Sequence, residues 1–526
     1  MKKLTTLFLA ILLLPLLSYS GGIVTNSNQS ASWVRMLCRD ASTNIDAVYF
    51  NPAGLTKLSD GFYFSLTNQS ITQTKTITNS YPYLNNNEFV GDVSAPLFPS
   101  IYAAYKLNKL AFSLGFNPVG GGGSAQYDQG LPSFETGISD LVPGLQAAGQ
   151  NVTAYSIDSY FEGTSVYWGL QGGISFEIND MISVFGGLRY NYGVNTYDGH
   201  LKDIMITLDG TPTSASGFFS GLATQLSTGA SDLQPAIDGG AGTLTITQAE
   251  GLGVIDATTS ATLQGTLTSL GVADPANYTL ENTQTAFNTG AAENGAKSAL
   301  LADQTADVKQ VATGYTPILG VNISPNDKLN IGIKYEFKTK LEFENETESD
   351  ITSGFETDGT PITMFPDGGK FRNDIPAILS VGASYQVLED FKISTGFHMY
   401  FDKDANWEGN ETNVDNNFYE LALGAEYDVS EKILLSAGFL HAETGVGAGY
   451  QTDINYSLSS NTVGFGGKFD INPIFDINLG MMYTMYAENN RMIDYGTMGS
   501  YKETYNKSSL TFAIGVDIKL NKVKSE

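Results

Sequence analysis

The sequence predicts an all-β protein: one transmembrane antiparallel β-barrel of about fourteen strands, with long external loops that contain short helices. Three observations support this prediction: a period-two alternation of apolar and polar residues, an alternation of short and long connections, and the composition. Of 526 residues, 57 are glycine, 11% are aromatic and 16% are charged. The mean hydropathy of -0.09 suits a transmembrane barrel, because every second strand residue faces a polar interior.

The alternation begins at Gly61 and recurs to the end of the chain. In the last segment, one face holds Leu510, Phe512, Ile514, Val516, Ile518 and Leu520, and the other face holds Thr511, Ala513, Gly515, Asp517 and Lys519. A soluble β-sandwich would alternate in the same way, with its apolar face turned inward. Alternation alone therefore does not distinguish a sandwich from a membrane barrel.

Connection lengths distinguish the two classes. Strands are predicted near 61–77, 98–107, 109–118, 164–178, 181–199, 311–325, 327–345, 376–388, 389–402, 415–429, 431–443, 459–470, 473–487 and 504–520. Tight turns, for example at Asn108, join these strands in pairs, and long segments separate one pair from the next. Outer-membrane barrels have an even number of strands, short periplasmic turns and longer external loops, so the pattern predicts about fourteen strands with both chain ends on the periplasmic side.

Two of the predicted external loops are much longer than a turn requires. They span about 119–163 and 200–310, and the second contains helical patterns at residues 218–223 and 299–302. Structureless loops of this length are uncommon unless they are functional. A shielding or adhesive surface insert is one interpretation of the second loop.

The first twenty residues have the pattern of a secretory signal peptide. Lys2 and Lys3 precede an apolar run, and small residues before Gly21 fit a cleavage site. No later segment has the roughly twenty consecutive apolar residues of a membrane helix. The predicted organisation is a signal peptide at 1–20, an N-terminal plug at 21–60, the barrel at 61–520 and a polar tail at 521–526.

Charge and motif content argue against several functions. The net charge of -27 would repel nucleic acid, which is bound through clustered lysine and arginine. We find no nucleophile elbow or phosphate loop, so the sequence predicts neither an enzyme nor a cofactor. His200, His398 and His441 are too scattered for a zinc site, and no metal is predicted. Because His398 faces the predicted interior, a barrel hydrolase stays open as an alternative.

A short motif before the first strand is the basis of a family resemblance. Asn51, Pro52, Ala53 and Gly54 lie in the predicted plug segment and are followed by the barrel pattern. In position and order, the motif resembles the plug of the long-chain fatty-acid transporters of the outer membrane (FadL-type), a family that includes importers of aromatic hydrocarbons. The resemblance covers nearly the whole chain. It implies that residues 21–60 fold into the bore as a hatch, whose Asn-Pro-Ala turn meets an inward kink of a nearby strand.

The third predicted strand contains residues that would interrupt a barrel wall. Gly115, Phe116, Asn117 and Pro118 run towards Gly120 and three further glycines. Proline cannot donate to a strand ladder, and glycine permits bulges. The resemblance implies a kink here that opens the barrel sideways to the bilayer. It also suggests that apolar helices of the long loops collect a hydrophobic ligand at the cell surface.

Together with the barrel pattern, the resemblance implies a monomeric transporter in the outer membrane of a Gram-negative bacterium. By that resemblance, it would passively import hydrophobic small molecules, long-chain fatty acids or aromatic hydrocarbons, and would contact only ligand and outer-membrane lipid. The alternatives are a polar-solute porin and a structural or adhesive surface barrel. The sequence does not identify ligand-binding residues. The following inward residues are expected to hold the plug by ion pairing: Arg189, Lys334, Lys392, Lys468, Lys519, Glu336, Glu420, Glu426 and Asp517.

Overall fold

Fourteen antiparallel strands form one closed barrel. The computed structural model describes residues 28–356, 358–496 and 499–521, so the predicted signal peptide lies outside the described residues, as do 21–27 of the predicted plug and 522–526 of the polar tail. Each strand pairs with its neighbour along the chain. The last strand pairs with the first from Gly61↔Asn521 to Asn79↔Glu503, which closes the barrel.

The strands follow the predicted order. They are β1 (Gly61–Asn79), β2 (Glu88–Leu107), β3 (Leu110–Tyr127), β4 (Val152–Glu177), β5 (Ile182–Leu208), β6 (Gln304–Asn326), β7 (Leu329–Glu336, continued by Glu342–Ser349), β8 (Lys370–Arg372, continued by Ile378–Gln386), β9 (Phe391–Tyr400), β10 (Phe418–Ser430), β11 (Ile433–Glu443), β12 (Ser460–Asp470), β13 (Phe475–Tyr486, continued by Asn489–Asp494) and β14 (Ser500–Asn521). The predicted fold class is confirmed. The short turns all lie at one end of the barrel, the turn end, and the long connections lie at the other, the loop end.

Several strands extend further towards the loop end than the sequence pattern indicates. β3 reaches Tyr127 and β4 begins at Val152, so the first long loop is shorter than the predicted 119–163. β5 reaches Leu208 and β6 begins at Gln304, which shortens the predicted 200–310 in the same way. The backbone ladder continues beyond the apolar belt, where outward side chains need not be apolar. The alternation that marks a strand is therefore weak in these extensions.

The strand faces alternate as the sequence predicts. On β1, Phe62, Phe64 and Leu66 point outward and are 48%, 41% and 57% exposed, whereas the intervening Ser65 and Thr67 are buried inside. Outward apolar and inward polar residues are the arrangement of a barrel in lipid. Among the helices of the described residues, none is long and apolar enough to span a membrane.

The long loops contain helices; the predicted 218–223 lies in one of them, whereas of the predicted 299–302 only Ala299 and Leu300 are helical. The loop after β3 folds into α3 (Pro132–Ser139) and α4 (Leu141–Ala147). The helices α1 and α2 lie before the barrel and are described below. The loop after β5 folds into α5 (Ala215–Ala236), α6 (Ile246–Gly251), α7 (Ala257–Ser269) and α8 (Leu280–Leu300). These four helices share a core of their own that includes Leu226, Leu233, Leu263, Leu280 and Phe287. The second loop is therefore a compact helical unit.

Candidate functional site

The chain before the first strand lies inside the barrel. We call residues 28–60 the inner segment; it contains α1 (Ala31–Val34), α2 (Ala47–Phe50) and a 3-10 helix (Pro52–Lys57). The Ser30 hydroxyl accepts a hydrogen bond from the Trp33 amide at 3.0 Å and so caps α1.

Hydrogen bonds join the inner segment to the wall on all sides. Their wall partners lie on strands around the whole circumference and include Gln69 of β1, Gln171 of β4, Asn322 of β6, Ser436 of β11 and Asn478 of β13. Because these contacts reach strands around the circumference, the segment lies across the bore, and a pocket of about 590 Å³ stays open between it and the wall at the turn end.

Inward glycines of the wall make room for this segment. A Cβ atom at Gly438 would overlap the carbonyl oxygen of Met36, and one at Gly332 would overlap that of Asp40. At such positions the backbone of the inner segment lies directly against the backbone of the wall. Larger residues there would displace the segment, so these glycines are a condition for its position in the bore.

The Asn-Pro-Ala-Gly motif is docked against β4, β5 and β6. The Asn51 side-chain amide donates to Asn322 Oδ1 at 2.7 Å and to the Ser42 carbonyl at 3.0 Å. The Ser175 hydroxyl donates to the Pro52 carbonyl at 2.6 Å. Ala53 is buried against Phe185 and Ile318, and a Cβ atom at Gly54 would lie 2.5 Å from both Ser42 O and Asn51 Nδ2. The hydrogen bonds of the motif are thus made within the inner segment and with β4 and β6, while both α2 and the 3-10 helix that begins at Pro52 also approach β3.

Glu426 of β10 is the main ionic anchor of the inner segment. Its carboxylate lies 2.9 Å from Arg35 and 3.6 Å from Arg39, and it also pairs with Lys392 of β9. Arg39 forms a second, internal ion pair with Asp46 at 2.6 Å. The side chains of Glu426 and both arginines are almost fully buried. The expectation that Glu426 holds the segment by ion pairing agrees with this geometry, whereas Lys392 pairs with Glu426 within the wall.

His398 forms a second anchor; its wall partner Glu420 is among the expected anchoring residues, but His398 itself is not. Its Nε2 atom lies 2.7 Å from Asp40 of the inner segment, and its Nδ1 atom lies 2.7 Å from Glu420 of the wall. Both ring nitrogens are thereby engaged by carboxylates, so the geometry gives His398 a binding role and not that of a catalytic base. Among the residues that the structure describes, no group of histidine, cysteine, aspartate or glutamate is arranged to hold a metal.

Tyr49 of α2 is held between two cations of the wall. Its carbonyl accepts a hydrogen bond from Lys334 at 2.8 Å, and its ring centre lies 4.4 Å from Lys334 Nζ and 5.3 Å from the Arg189 guanidinium. Glu336 pairs with both cations, at 2.7 Å and 2.5 Å. This cluster combines ion pairs with cation–π contacts.

Two of the expected anchoring residues act elsewhere. Lys468 pairs with Asp470 at 3.1 Å, and Lys519 pairs with Asp476, so both ion pairs stay within the wall. Lys468 lies near the end of β12 and Lys519 near the end of β14, both at the turn end. Asp517 acts indirectly, because it accepts a hydrogen bond from Asn478 at 2.9 Å and Asn478 in turn accepts one from the inner segment.

The hydrogen-bonded pairing between β2 and β3 is interrupted part-way along the two strands. It is regular up to the pair Ile101↔Phe116 and resumes with the pair Ser94↔Ser124. Between these pairs, residues 95–100 of β2 and 117–123 of β3 do not pair with each other, and we call these two stretches the wall gap. On their other edges they still pair with β1 and β4. Exposed apolar side chains flank the wall gap, so it lies in the lipid-facing part of the wall.

Of the five residues predicted for a third-strand kink, three lie in the wall gap and two lie beside it. Asn117, Pro118 and Gly120 lie in the wall gap, whereas Gly115 and Phe116 lie in the regular ladder beside it. The strand does not end there but bulges twice against β4 and then continues. The Asn117 amide donates to Gln29 of the inner segment at 3.1 Å, so the wall gap and the inner segment are in direct contact.

The β2 side of the wall gap contains a signal that the sequence reasoning missed. Pro96 and Pro99 lie in the unpaired part of β2, and Pro118 lies opposite them on β3. None of the three has an amide hydrogen, so none can donate to a ladder. On β3, Gly121 and Gly123 have φ angles of 74° and 58°, which favour glycine. The interruption is thus encoded on both strands.

A cavity of about 400 Å³ lies directly inside the wall gap. Gly121, Gly122 and Gly123 line it on the gap side, and Trp33 of the inner segment lines it from below. On the outside of the wall, a second pocket of about 340 Å³ is lined by Phe116, Trp168, Leu170, Tyr190 and Tyr192. The outer pocket is apolar and lies over β3, β4 and β5, beside the wall gap, whereas the inner cavity is lined by both polar and apolar residues.

Comparisons with known proteins agree with this architecture. Residues 246–521 match the model of the family described as outer membrane protein transport protein (OMPP1/FadL/TodX). No curated protein matches the chain. The structure of a Pseudomonas aeruginosa FadL homologue superposes with a TM-score of 0.57 at 14% identity, over 94% of this chain and 99% of that chain. That of the Pseudomonas putida toluene transporter TodX superposes with a TM-score of 0.51 at 13% identity, over 91% and 95%.

The family match covers more than half of the chain and includes most of the barrel. The two superpositions show that the fold is shared over nearly the full length of each chain. The family consists of transport proteins and not of enzymes, which answers the hydrolase alternative raised by His398. This chain belongs to the OMPP1/FadL/TodX family of outer-membrane transport proteins.

Proposed function

We propose that the protein passively transports hydrophobic small molecules, which enter at the loop end, pass through the cavity and leave sideways through the wall gap into the bilayer. The observation that supports this route is the interrupted β2–β3 ladder with a cavity directly behind it. We further propose that residues 1–20 are removed as a signal peptide, that residues 21–60 act as the plug, and that the transporter works as a monomer.

The energetic comparison between the two exits favours the sideways route. Leaving along the barrel axis requires displacement of the inner segment, and each broken buried ion pair costs about 3–5 kcal/mol. Leaving through the wall gap breaks no β2–β3 ladder bond, since none is formed there. Transfer to water would also cost about 0.8 kcal/mol for each CH₂ group, whereas transfer to lipid avoids that cost.

The inner segment also weighs against the polar-solute porin. A porin needs a continuous aqueous channel. Here the inner segment lies across the bore below the cavity and is hydrogen-bonded to strands around the circumference. A porin would give large steady conductance in planar bilayers, whereas we expect the wild-type protein to be closed under the same conditions.

A substitution inside the wall gap tests the sideways route. Gly122 lines the cavity, and a Cβ atom there would meet nothing within 4 Å, so Gly122→Trp should fill the passage without disturbing the fold. We expect uptake of a radiolabelled alkane into cells to fall about tenfold, which needs a rise of only about 1.4 kcal/mol in the barrier. Gly186→Trp is the matched control, because Gly186 also has open space and lies on the outer face of β5.

The result is informative only if both variants are present in the outer membrane in equal amounts, which immunoblotting of membrane fractions establishes. Unchanged uptake by Gly122→Trp would contradict the sideways route. A similar loss in both variants would show that the effect of the tryptophan is not specific to the wall gap, and would also count against it.

A further inference from the structure

The wall is interrupted a second time, between β6 and β7. Their ladder is regular up to the pair Ile318↔Glu336 and resumes with the pair Val311↔Glu344. Across this interruption β7 stays in an unchanged register with β8, to which an isolated bridge joins it. The ladder between β5 and β6 is continuous. β7 and β8 therefore leave the edge of β6 together.

Beyond the interruption, β7 lies on the inner side of β6. Gly314 of β6 points inward, and a Cβ atom there would lie 2.6 Å from the carbonyl oxygen of Lys340. A Cβ atom at Gly193 of β5 would lie 2.7 Å from the ring of Phe343. Phe343 is fully buried, and its ring centre lies 5.9 Å from that of Tyr167 of β4. Glycine at both wall positions thus makes room for an inward step of β7.

The inward step is matched by a recess on the outside of the barrel. The recess has a volume of about 490 Å³, which is within the usual range for small-molecule sites. Its three glutamates are exposed and alternate with the buried Phe343 and Asn345, which places them on the outer face of β7. We call this site the outer recess; it is lined by Val311, Ala312, Thr313, Lys340, Glu342, Glu344, Glu346 and Arg372.

The outer recess lies at the level of the lipid headgroups. On its turn-end side, the wall carries exposed aromatic rings at Tyr190, Tyr315 and Phe337. The ring centres of Tyr190 and Tyr315 are 5.4 Å apart. Aromatic residues of barrels form girdles at the membrane interfaces. The charged residues follow directly beyond these rings, so they meet headgroups and not acyl chains.

Lys340 brings an uncompensated positive charge to the outer recess. No aspartate or glutamate lies within 4.0 Å of its ammonium nitrogen in the part of the chain that the structure describes. Two of the glutamates are already neutralised, since Glu344 pairs with Lys370 at 3.1 Å and Glu346 pairs with Lys309 at 2.7 Å. The acids of the recess therefore leave Lys340 available to an external anion.

Arg372 and Glu342 complete the charged lining and lie opposite each other in the β7–β8 register. Two nitrogens of Arg372, Nε and Nη2, donate to Asp374 Oδ1 at 3.0 Å and 2.6 Å. Within the described ranges, no lysine or arginine nitrogen lies within 4.0 Å of the Glu342 carboxylate. The outer recess thus offers cationic donors beside a carboxylate that accepts hydrogen bonds.

We propose that the outer recess binds the phosphorylated sugar headgroup of an outer-leaflet glycolipid, with a phosphate on Lys340 and Arg372 and a sugar hydroxyl on Glu342. Lysine and arginine form charge-assisted hydrogen bonds with phosphate. An ionised carboxylate is only an acceptor, so it binds a hydroxyl and repels a phosphate. The acyl chains lie along the exposed Tyr315 and Leu319 below the recess. This inference is independent of the transport route, because the wall gap lies between β2 and β3.

The test compares three lipids that differ in the headgroup. Displacement of fluorescent lipid A from the purified full-length protein in non-ionic detergent is measured with diphosphorylated lipid A, dephosphorylated lipid A and phosphatidylglycerol. We expect diphosphorylated lipid A to bind about tenfold or more tightly than either of the others, equivalent to about 1.4 kcal/mol. Lys340→Met should remove most of this preference. Equal affinity of the wild type for all three lipids would overturn the inference.

A steric variant and a matched charge control complete the experiment. Thr313→Trp occupies the outer recess without a change of charge and should also weaken the binding of lipid A. Lys109→Met removes an exposed lysine at the opposite, turn end of the barrel and should bind as the wild type does. All three side chains are exposed, so the thermal midpoints without lipid should be equal. A preference that survives Lys340→Met, or one that Lys109→Met reduces as much, would contradict binding in the outer recess.

Discussion

Removal of the Glu426 carboxylate is the sharpest test of how the inner segment is held. Glu426→Ala deprives three cations of their shared partner, and they are not equally affected. Arg39 keeps Asp46 at 2.6 Å, and the Lys392 side chain is 30% exposed and can be solvated. Arg35 is the critical case, because its side chain is 2% exposed and its remaining side-chain partner is the neutral Asn478.

The magnitude follows from that uncompensated charge. Removing one partner of a buried ion pair costs about 3–5 kcal/mol. If this free energy is lost from the docked state, the population of undocked segment rises by roughly 10²- to 10⁴-fold, since each 1.36 kcal/mol is a factor of ten. The other contacts, including that of Asp40 with His398, keep the docked state dominant. We therefore expect brief openings and not a permanently open pore.

Single-channel recording in planar bilayers measures this directly. The wild type should be closed for nearly all of the record, and Glu426→Ala should show brief openings at a much higher frequency. Asp470→Ala is the control: it breaks an ion pair between partly exposed groups of the wall, which is worth about 0–1 kcal/mol, and it should behave as the wild type. A Glu426→Ala channel as quiet as the wild type, in a protein that is correctly folded, would refute the assigned role of the anchor.

Two further predictions concern single residues. Asn51→Ala removes the hydrogen bonds to Asn322 and to the Ser42 carbonyl; Asn322 Oδ1 keeps a bond from Asn330, but the buried Ser42 carbonyl is left unsatisfied. We therefore expect a loss of about 1–3 kcal/mol in unfolding free energy, measured in urea with Asn44→Ala as the exposed control. Burial raises the pKa of Asp402, in the loop after β9, to about 7 from 3.8. A raised carboxyl pKa stabilises the fold while the group is protonated, and this stability is lost as pH rises from about 4 to about 7. Asp402→Asn keeps an acceptor for the Phe418 amide, so it should be more stable than the wild type at about pH 8 and equal to it at about pH 4, in thermal unfolding scans.

The strand order was predictable because it depends on local chemistry. Each strand faces lipid on one side and a polar interior on the other, and this difference is present in every pair of successive residues. The strand extensions towards the loop end lack lipid contact and hence the pattern. The predicted start of β2 near 98 is wrong, since the strand begins at Glu88 and continues through Pro96, which interrupts the local pattern of a strand.

The contacts of the inner segment were not predictable in the same way. Asn51 and Asn322 are 271 positions apart, and His398 and Asp40 are 358 positions apart. No local pattern identifies such partners, since they are set by the curvature of the barrel and the path of the segment through it. The sequence supplied the types of residue, inward charges and a turn motif, and the closed structure determines which of them meet.

The same physics explains why an interrupted ladder is tolerated at this place in the wall. Irregular backbone at membrane depth is stable only where it is buried in protein or lines a cavity, because its polar groups find no partner in lipid. The wall gap meets this condition, since its glycines line the cavity. Pro96, Pro99 and Pro118 further reduce the number of amide hydrogens that need a partner. Replacing these prolines would add unsatisfied donors on β2 and β3 that pair most easily with each other, and so would close the gap. The prolines therefore keep the two strands apart. The cavity makes this separation stable in a membrane, because the unpaired backbone faces the cavity and not lipid.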